Sequence, residues 1–208
     1  MEKRLYIIGC GGHARSIADV AFSSGWVNIR FVDDNRLPGE KILGYPVISN
    51  AEQEEEEIST KFFIIGVGDN IKRKELYSIY SKKPKYQSAN IISSNAYISP
   101  FAILKSGIFV GHQAYIGPEA NIDDDVIINT RATIEHGCII NPHAHIAIGT
   151  LLAGKVVIGE LSLIGAGCTV IPEKHIEKNI VVGAGAVVTK NFLETGTYVG
   201  IPARKISH

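Results

Sequence analysis

Cysteine is scarce. The chain has three, Cys10, Cys138 and Cys168, widely spaced and never as CxxC. Such a set builds neither a disulfide framework nor a cysteine zinc site, and it fits a reducing compartment. Net charge is missing as well: 21 Lys and Arg balance 21 Asp and Glu. That gives no electrostatic reason for a nucleic acid or an anionic membrane surface as partner. No apolar run approaches the roughly 18 residues of a membrane span, and MEKRLYIIGCGG reaches glycine too soon for a signal peptide. The expectation is a cytoplasmic chain with no membrane span and no nucleic-acid partner. What is present is 45% hydrophobic residues in 208, enough for one sizeable core or two small ones.

Those residues are spaced by a rule. Stepping by six from Ile92 meets an aliphatic at seventeen consecutive positions, through Ile128, Ile134 and Ile140 to Val188. The position four further on is mostly small: Ala96, Ala114, Ala132, Cys138, Ser162, Cys168, Ala186. A period of six fits neither a 3.6-residue helix nor strand alternation. It fits a solenoid of polygonal section with one side per hexad, each aliphatic pointing inward at a corner and successive turns burying an apolar column.

The first 85 residues obey no such rule. RLYIIGCGGHARSIADVAF reads strand, glycine turn, helix; IRFVDD and KFFIIGVGDN read as further strands, the last followed by a helical IKRKELYSIYSKK. The pattern implies a small parallel sheet. The domains expected are 1–85 and 86–208, with a linker near Pro84–Ser88 and a C-terminal cap where NFLETGTYVGIPARKISH leaves the register. SNAEQEEEEIST reads as a solvated acidic helix face with Ser49 as its cap. Gly9, Gly11 and Ala14 satisfy G-x-G-x-x-G/A after a strand, and Asp33 and Asp34 follow about twenty residues on. Glycine there lets backbone amides approach phosphate at a helix N-terminus. The segment is about half a dinucleotide fold, so it reads as a half-Rossmann unit for one nucleotide or a nucleotide-linked substrate. His13 is either a phosphate or sugar contact or a helix-start histidine without a ligand. Asp33 and Asp34 are either ligand contacts or turn residues.

YIIGCGGHA, FVDDN and GVGDN, followed by a hexad solenoid carrying INTRATIEHG, resemble one family of bacterial glycan-pathway enzymes over essentially the whole chain. These are the hexapeptide-repeat nucleotide-amino-sugar N-acetyltransferases and the related sialic acid O-acetyltransferases. The resemblance implies an α/β half-Rossmann subdomain followed by a left-handed parallel β-helix, and a homotrimer with its sites between neighbouring subunits. It implies acetyl-CoA as co-substrate, no metal, and a nucleotide-linked 4-amino-sugar as acceptor, with free sialic acid as the alternative. Carried over by motif, Gly11, Gly12, His13, Asp33, Asp34 and Gly68 contact the nucleotide sugar. His136 is the catalytic base. His145 lies at the thioester end of acetyl-CoA, and Ala166 and Ala184 offer backbone to the pantetheine arm. In the amino-sugar enzymes an acidic residue commonly follows the catalytic histidine; here it is Gly137, which leaves Glu135 or no carboxylate at all to orient His136.

The chemistry suits these residues. Acetyl transfer from a thioester needs an acceptor held near the carbonyl, a base for the proton it loses, and donors for the oxyanion. Imidazole titrates near neutrality and serves as such a base. Hexad position alone does not select His136, because His112 also lies two residues after an inward aliphatic. A zinc site at His143 and His145 lacks a third ligand. A non-catalytic nucleotide-sugar scaffold is the other alternative.

Overall fold

The computed structural model describes residues 3–37, 39–49 and 61–206, in two compact units, 1–94 and 95–208. The acidic run at 50–60, read above as a helix face, lies outside the described residues.

In the first unit, β1 (Arg4–Ile8) leads through α1 (Gly12–Ser23) to β2 (Asn28–Val32). Then come β3 (Lys41–Ile42), β4 (Tyr45–Ile48), β5 (Lys61–Ile65), α2 (Asn70–Tyr80) and β6 (Tyr86–Ser88). The sheet order is β3-β4-β2-β1-β5-β6, parallel except for the β3–β4 hairpin. The runs LYII and FFII are almost wholly buried, as strands covered on both faces must be. Two elements differ from the sequence reading. The β3–β4 hairpin was not expected; it turns at Leu43 and Gly44, both at positive φ, as short hairpins require. And Tyr86–Ser88 is a strand, not a linker. Tyr86 joins an aromatic cluster with Tyr6, Phe63 and Tyr80, at centroid distances of 6.4, 6.3 and 5.5 Å, which ties that segment to the sheet.

Register then positions function. Ile8 pairs with Val32 on one side and Ile65 on the other, so β1, β2 and β5 end level. The loops that follow them therefore open side by side.

The second unit is the expected parallel β-solenoid. Most of its strands are two residues long, and within the coils they pair in parallel with the strand 18 residues on, as in Tyr97↔Tyr115↔Thr133↔Leu151. Eighteen residues are three hexads, so each coil has three sides. The first face stacks six strands, beginning at Tyr97, Tyr115, Thr133, Leu151, Thr169 and Val187. The second stacks five, from Ile103 to His175. The third carries Phe109, Ile127, His145 and Leu163 and ends on Gly196–Gly200 paired with Ala203–Lys205, where the chain leaves the register.

The periodic aliphatic is the second residue of each strand, and from Val110 onward every one is buried. Each contributes about 1.5–3 kcal/mol of apolar burial. The aliphatics thus line the flat sides, and the corners fall on the three residues after them, which corrects the corner placement expected from sequence. The third of these is left-handed at every sixth residue from Gly107 to Gly185. Glycine takes five of those positions; Gln113, Asp125, Arg131, Lys155 and others adopt the same conformation because the coils above and below dictate it. The small residue of each hexad also has a role when it carries a donor. Cys138, Thr150, Ser162 and Cys168 each donate to a carbonyl fifteen residues on, at 3.2, 2.9, 2.7 and 2.9 Å, so their buried polar atoms are satisfied.

Candidate functional site

The two helix N-termini of the first unit differ. At α2, Asp69 Oδ1 accepts the Lys72 N–H at 2.8 Å, so a carboxylate already serves the helix end. At α1 the cap is Gly11, with no side-chain cap bond and no acidic residue in the first turn. The positive end of the helix dipole therefore has no carboxylate from its own first turn, an arrangement suited to an anion. Beside Gly11 and Gly12 a β-carbon would meet nothing within 4 Å, so there is open space for a ligand. A further glycine, without a motif to mark it, shapes this end of the sheet. A β-carbon on Gly66 would sit 2.6 Å from Cβ of Ala14, so Gly66 is what lets the start of α1 lie against the end of β5.

The level ends of β1, β2 and β5 bring Gly11, Gly12, His13, Asp33, Asp34 and Gly68 to one edge of the sheet. The two aspartates are not equivalent there. Asp33 is half-buried, and its Oδ1 accepts from the Asn35 backbone at 3.0 Å and from Asn35 Nδ2 at 3.5 Å. Burial first, and then the adjacent Asp33 carboxylate, push the Cys10 thiol up to about 11, so it stays protonated beside that carboxylate. Asp34 is exposed, and its Oδ1 accepts from the Asn35 side-chain amide at 3.1 Å. Asp33 shapes the loop, and Asp34 faces outward. Gly68 is exposed, its carbonyl accepting from the buried Arg73 guanidinium at 3.2 Å.

In the solenoid, His136 stands at the corner between the first and second faces. The residues at its level in the stack, coil by coil, are Pro100, Pro118, His136, Gly154, Pro172 and Lys190. An imidazole thus takes a place given to proline in three of the other coils. Its side chain is 58% exposed, and Nδ1 lies 3.7 Å from Glu135 Oε2, near enough for an ion pair and too far for a hydrogen bond. The neighbouring Gly137 occupies a left-handed position, with φ +66°, that Glu119 and Lys155 tolerate in the adjoining coils. His112 is separated from His136 by the structure: it sits at the corner between the third and first faces, with Nδ1 3.3 Å from Asn95 Oδ1.

His145 begins a third-face strand between Ile127 and Leu163. Asn129 Oδ1 accepts the Thr130 N–H at 2.8 Å, which turns its Nδ2 toward His145 Nε2 at 3.4 Å. Asn129 had been given no role from sequence. Ala166 and Ala184 are exposed at the corner between the third and first faces, each followed by a glycine, Gly167 and Gly185, beside which a β-carbon would meet nothing within 4 Å. A cavity of about 390 Å³ opens on the same corner, lined by Gln113, Arg131, Thr133, Ile148, Gly149 and Leu151. The Ala166 corner and the His136 corner flank the first face on opposite sides, so a single chain does not bring them together.

His143 makes a 2.8 Å contact from Nδ1 to the buried Asp125, and no group of three or more His, Cys, Asp or Glu able to hold a metal ion occurs among the described residues. No helix of the described residues is long and apolar enough to cross a membrane.

Residues 4–80 match the family described as the PglD N-terminal domain. The acetyltransferase domain of PglB from Neisseria gonorrhoeae FA1090 is 31% identical, with a TM-score of 0.91 over 98% of this chain and 100% of that one. The same domain in complex with acetyl coenzyme A gives 30% identity and a TM-score of 0.93 over 99% and 100%. PerB from Caulobacter crescentus, in complex with CoA and GDP-perosamine, is 29% identical with a TM-score of 0.91 over 100% and 99%. Among curated proteins, uncharacterized protein L142 of Acanthamoeba polyphaga mimivirus is 34% identical over 124 residues, which is 60% of this chain. The match spans 24% of that relative's length.

Proposed function

The chain belongs to the hexapeptide-repeat acetyltransferases that join a PglD-type N-terminal domain to a β-solenoid, and from that premise we propose an acetyl-CoA-dependent N-acetyltransferase acting on a nucleotide-linked 4-amino-sugar in glycan biosynthesis. The observation that carries this reading is His136: an exposed imidazole on a rigid coil, at a level of the stack that holds proline in three other coils. The uncapped N-terminus of α1 supports an anionic acceptor, and Asp34 supports a cationic one, since an exposed carboxylate suits an ammonium group.

In the proposed reaction the diphosphate of the acceptor lies at Gly11, Gly12 and His13, and Asp34 faces the sugar. The amine attacks the thioester carbonyl carbon while Nε2 of His136, the ring nitrogen not directed at Glu135, takes its proton. The tetrahedral intermediate collapses, the carbon–sulfur bond breaks, and CoA leaves as the thiol once it has received a proton. His145 stands at the thioester end, and the side-chain-poor strip at Ala166–Gly167 and Ala184–Gly185 takes the pantetheine arm. Because His136 and that strip lie at different corners of one chain, the site is completed by a neighbouring copy, and the assembly is a homotrimer. A monomer in light scattering at micromolar concentration contradicts the shared site.

The deciding experiment offers acetyl-CoA with a panel of nucleotide-linked 4-amino-sugars and free sialic acid, reading released CoA thiol. Turnover is expected with an amino-sugar. Preference for free sialic acid assigns O-acetylation instead, and binding of sugar nucleotide without thiol release assigns a scaffold.

A further inference from the structure

Gly154 has no backbone reason to be glycine. Its φ lies outside the left-handed region, and at the same level of the stack Pro100, Pro118 and Pro172 all carry a β-carbon. What excludes a side chain at 154 is one neighbour. The three atoms nearest to a β-carbon built there are Cε1, Nε2 and Nδ1 of His136, with Nε2 at 2.5 Å and Nδ1 at 3.2 Å. Other close glycines of the solenoid differ. At Gly111, Gly117, Gly159 and Gly165 the nearest atoms are backbone of the next coil, so those glycines serve coil stacking.

We infer that Gly154 is a positioning residue for His136: its bare Cα is the surface across which the imidazole lies, and it fixes where Nε2 points. The inference rests on the general-base reading of His136. A ring 58% exposed on the solvent side, with its carboxylate neighbour at 3.7 Å and so outside hydrogen-bond range, has little else to restrict its rotation. Contact with the backbone of the next coil supplies that restriction, and a methyl group at 154 drives the ring out of the same volume. The scaffold itself accepts the change, because proline occupies this level three times.

The test uses the full chain in its native assembly, with acetyl-CoA and its amino-sugar acceptor. Gly154→Ala is expected to keep the thermal midpoint and the assembly of the parent and to lower kcat by roughly 10- to 100-fold, the scale of a displacement of about 1 Å in a reacting group. Gly154→Pro, the residue the stack otherwise carries there, is expected to lower it at least as far. The decisive readout is the same substitution in a His136→Ala background. A residue that acts only through the ring loses its effect once the ring is gone, so the double variant should lie within about twofold of His136→Ala. Gly154→Ala with parental kcat overturns the inference, and so does an equal loss with and without the imidazole, which assigns Gly154 a direct role on substrate or cofactor. His136→Ala alone judges the general-base reading; a full loss there beside a neutral Gly154→Ala removes only the positioning role.

Discussion

Glycine does opposite things in the two units. In the α/β unit, Gly11 and Gly12 stand beside empty space, and their missing side chains leave room for something from outside the chain. In the solenoid, Gly165 stands where a β-carbon would come 2.6 Å from the Val182 carbonyl oxygen and 2.7 Å from the Ala184 nitrogen; its missing side chain leaves room for the next coil. A loop at the end of a sheet is shaped by its ligand, whereas a coil is shaped by its neighbours. Candidate functional residues are accordingly sought in different ways: in the first unit at the glycine motif, and in the second where a side chain such as His136 departs from the proline common at its level.

The contrast can be broken most sharply by exchanging the consequences. Gly165→Ala should destabilise the solenoid by about 1–3 kcal/mol, the usual cost of overfilling a packed site, read as a lower denaturation midpoint. Gly11→Ala should leave that midpoint unchanged and raise KM for the sugar nucleotide about tenfold or more, because a methyl group enters the space at the helix N-terminus. A stability loss at Gly11 equal to that at Gly165 would erase the distinction. In the α/β site a smaller effect separates the paired aspartates. Asp34→Asn should raise KM for the sugar severalfold and leave that for acetyl-CoA unchanged, whereas Asp33→Asn should act through the loop it holds together. Equal effects on both substrates at Asp34 point to a damaged fold. Within the solenoid site, Glu135→Gln should leave kcat within about threefold, because 3.7 Å lies outside hydrogen-bond range; a loss of about tenfold with both KM values held would give Glu135 a share in orienting the ring.

The solenoid was legible because a period of six repeated seventeen times leaves no other packing for the aliphatics. The parallel sheet was legible because β1 and β5 are short apolar runs followed by glycine. The β3–β4 hairpin escaped because its strands are short and their turn holds Leu43, which carries no turn signal, at positive φ. Strand β6 escaped because its burial comes from an aromatic cluster assembled from distant parts of the sequence. In the candidate site, the motif singles out His136 as a proposed base, but its relation to Gly154 is not visible in the linear sequence: the two residues meet only once the coils stack 18 residues apart. Rows of 18 carry the signal, since Pro100, Pro118, His136, Gly154, Pro172 and Lys190 then fall in one column. The different duties of Asp33 and Asp34 were invisible for another reason, because adjacent identical side chains differ only in which way the loop turns them.

In the proposed reaction a solenoid histidine, His136, removes the proton from an amino-sugar acceptor. His136→Ala is the sharpest test, measured as kcat and KM on the acceptor found by thiol release, with assembly and acetyl-CoA binding checked on the same protein. Expected are an intact assembly, unchanged acetyl-CoA binding and a rate lower by roughly 10²–10⁴, equal to about 3–5 kcal/mol in the barrier. A variant within about threefold of the parent rules out His136 as the base and leaves positioning and oxyanion stabilisation as the sources of rate.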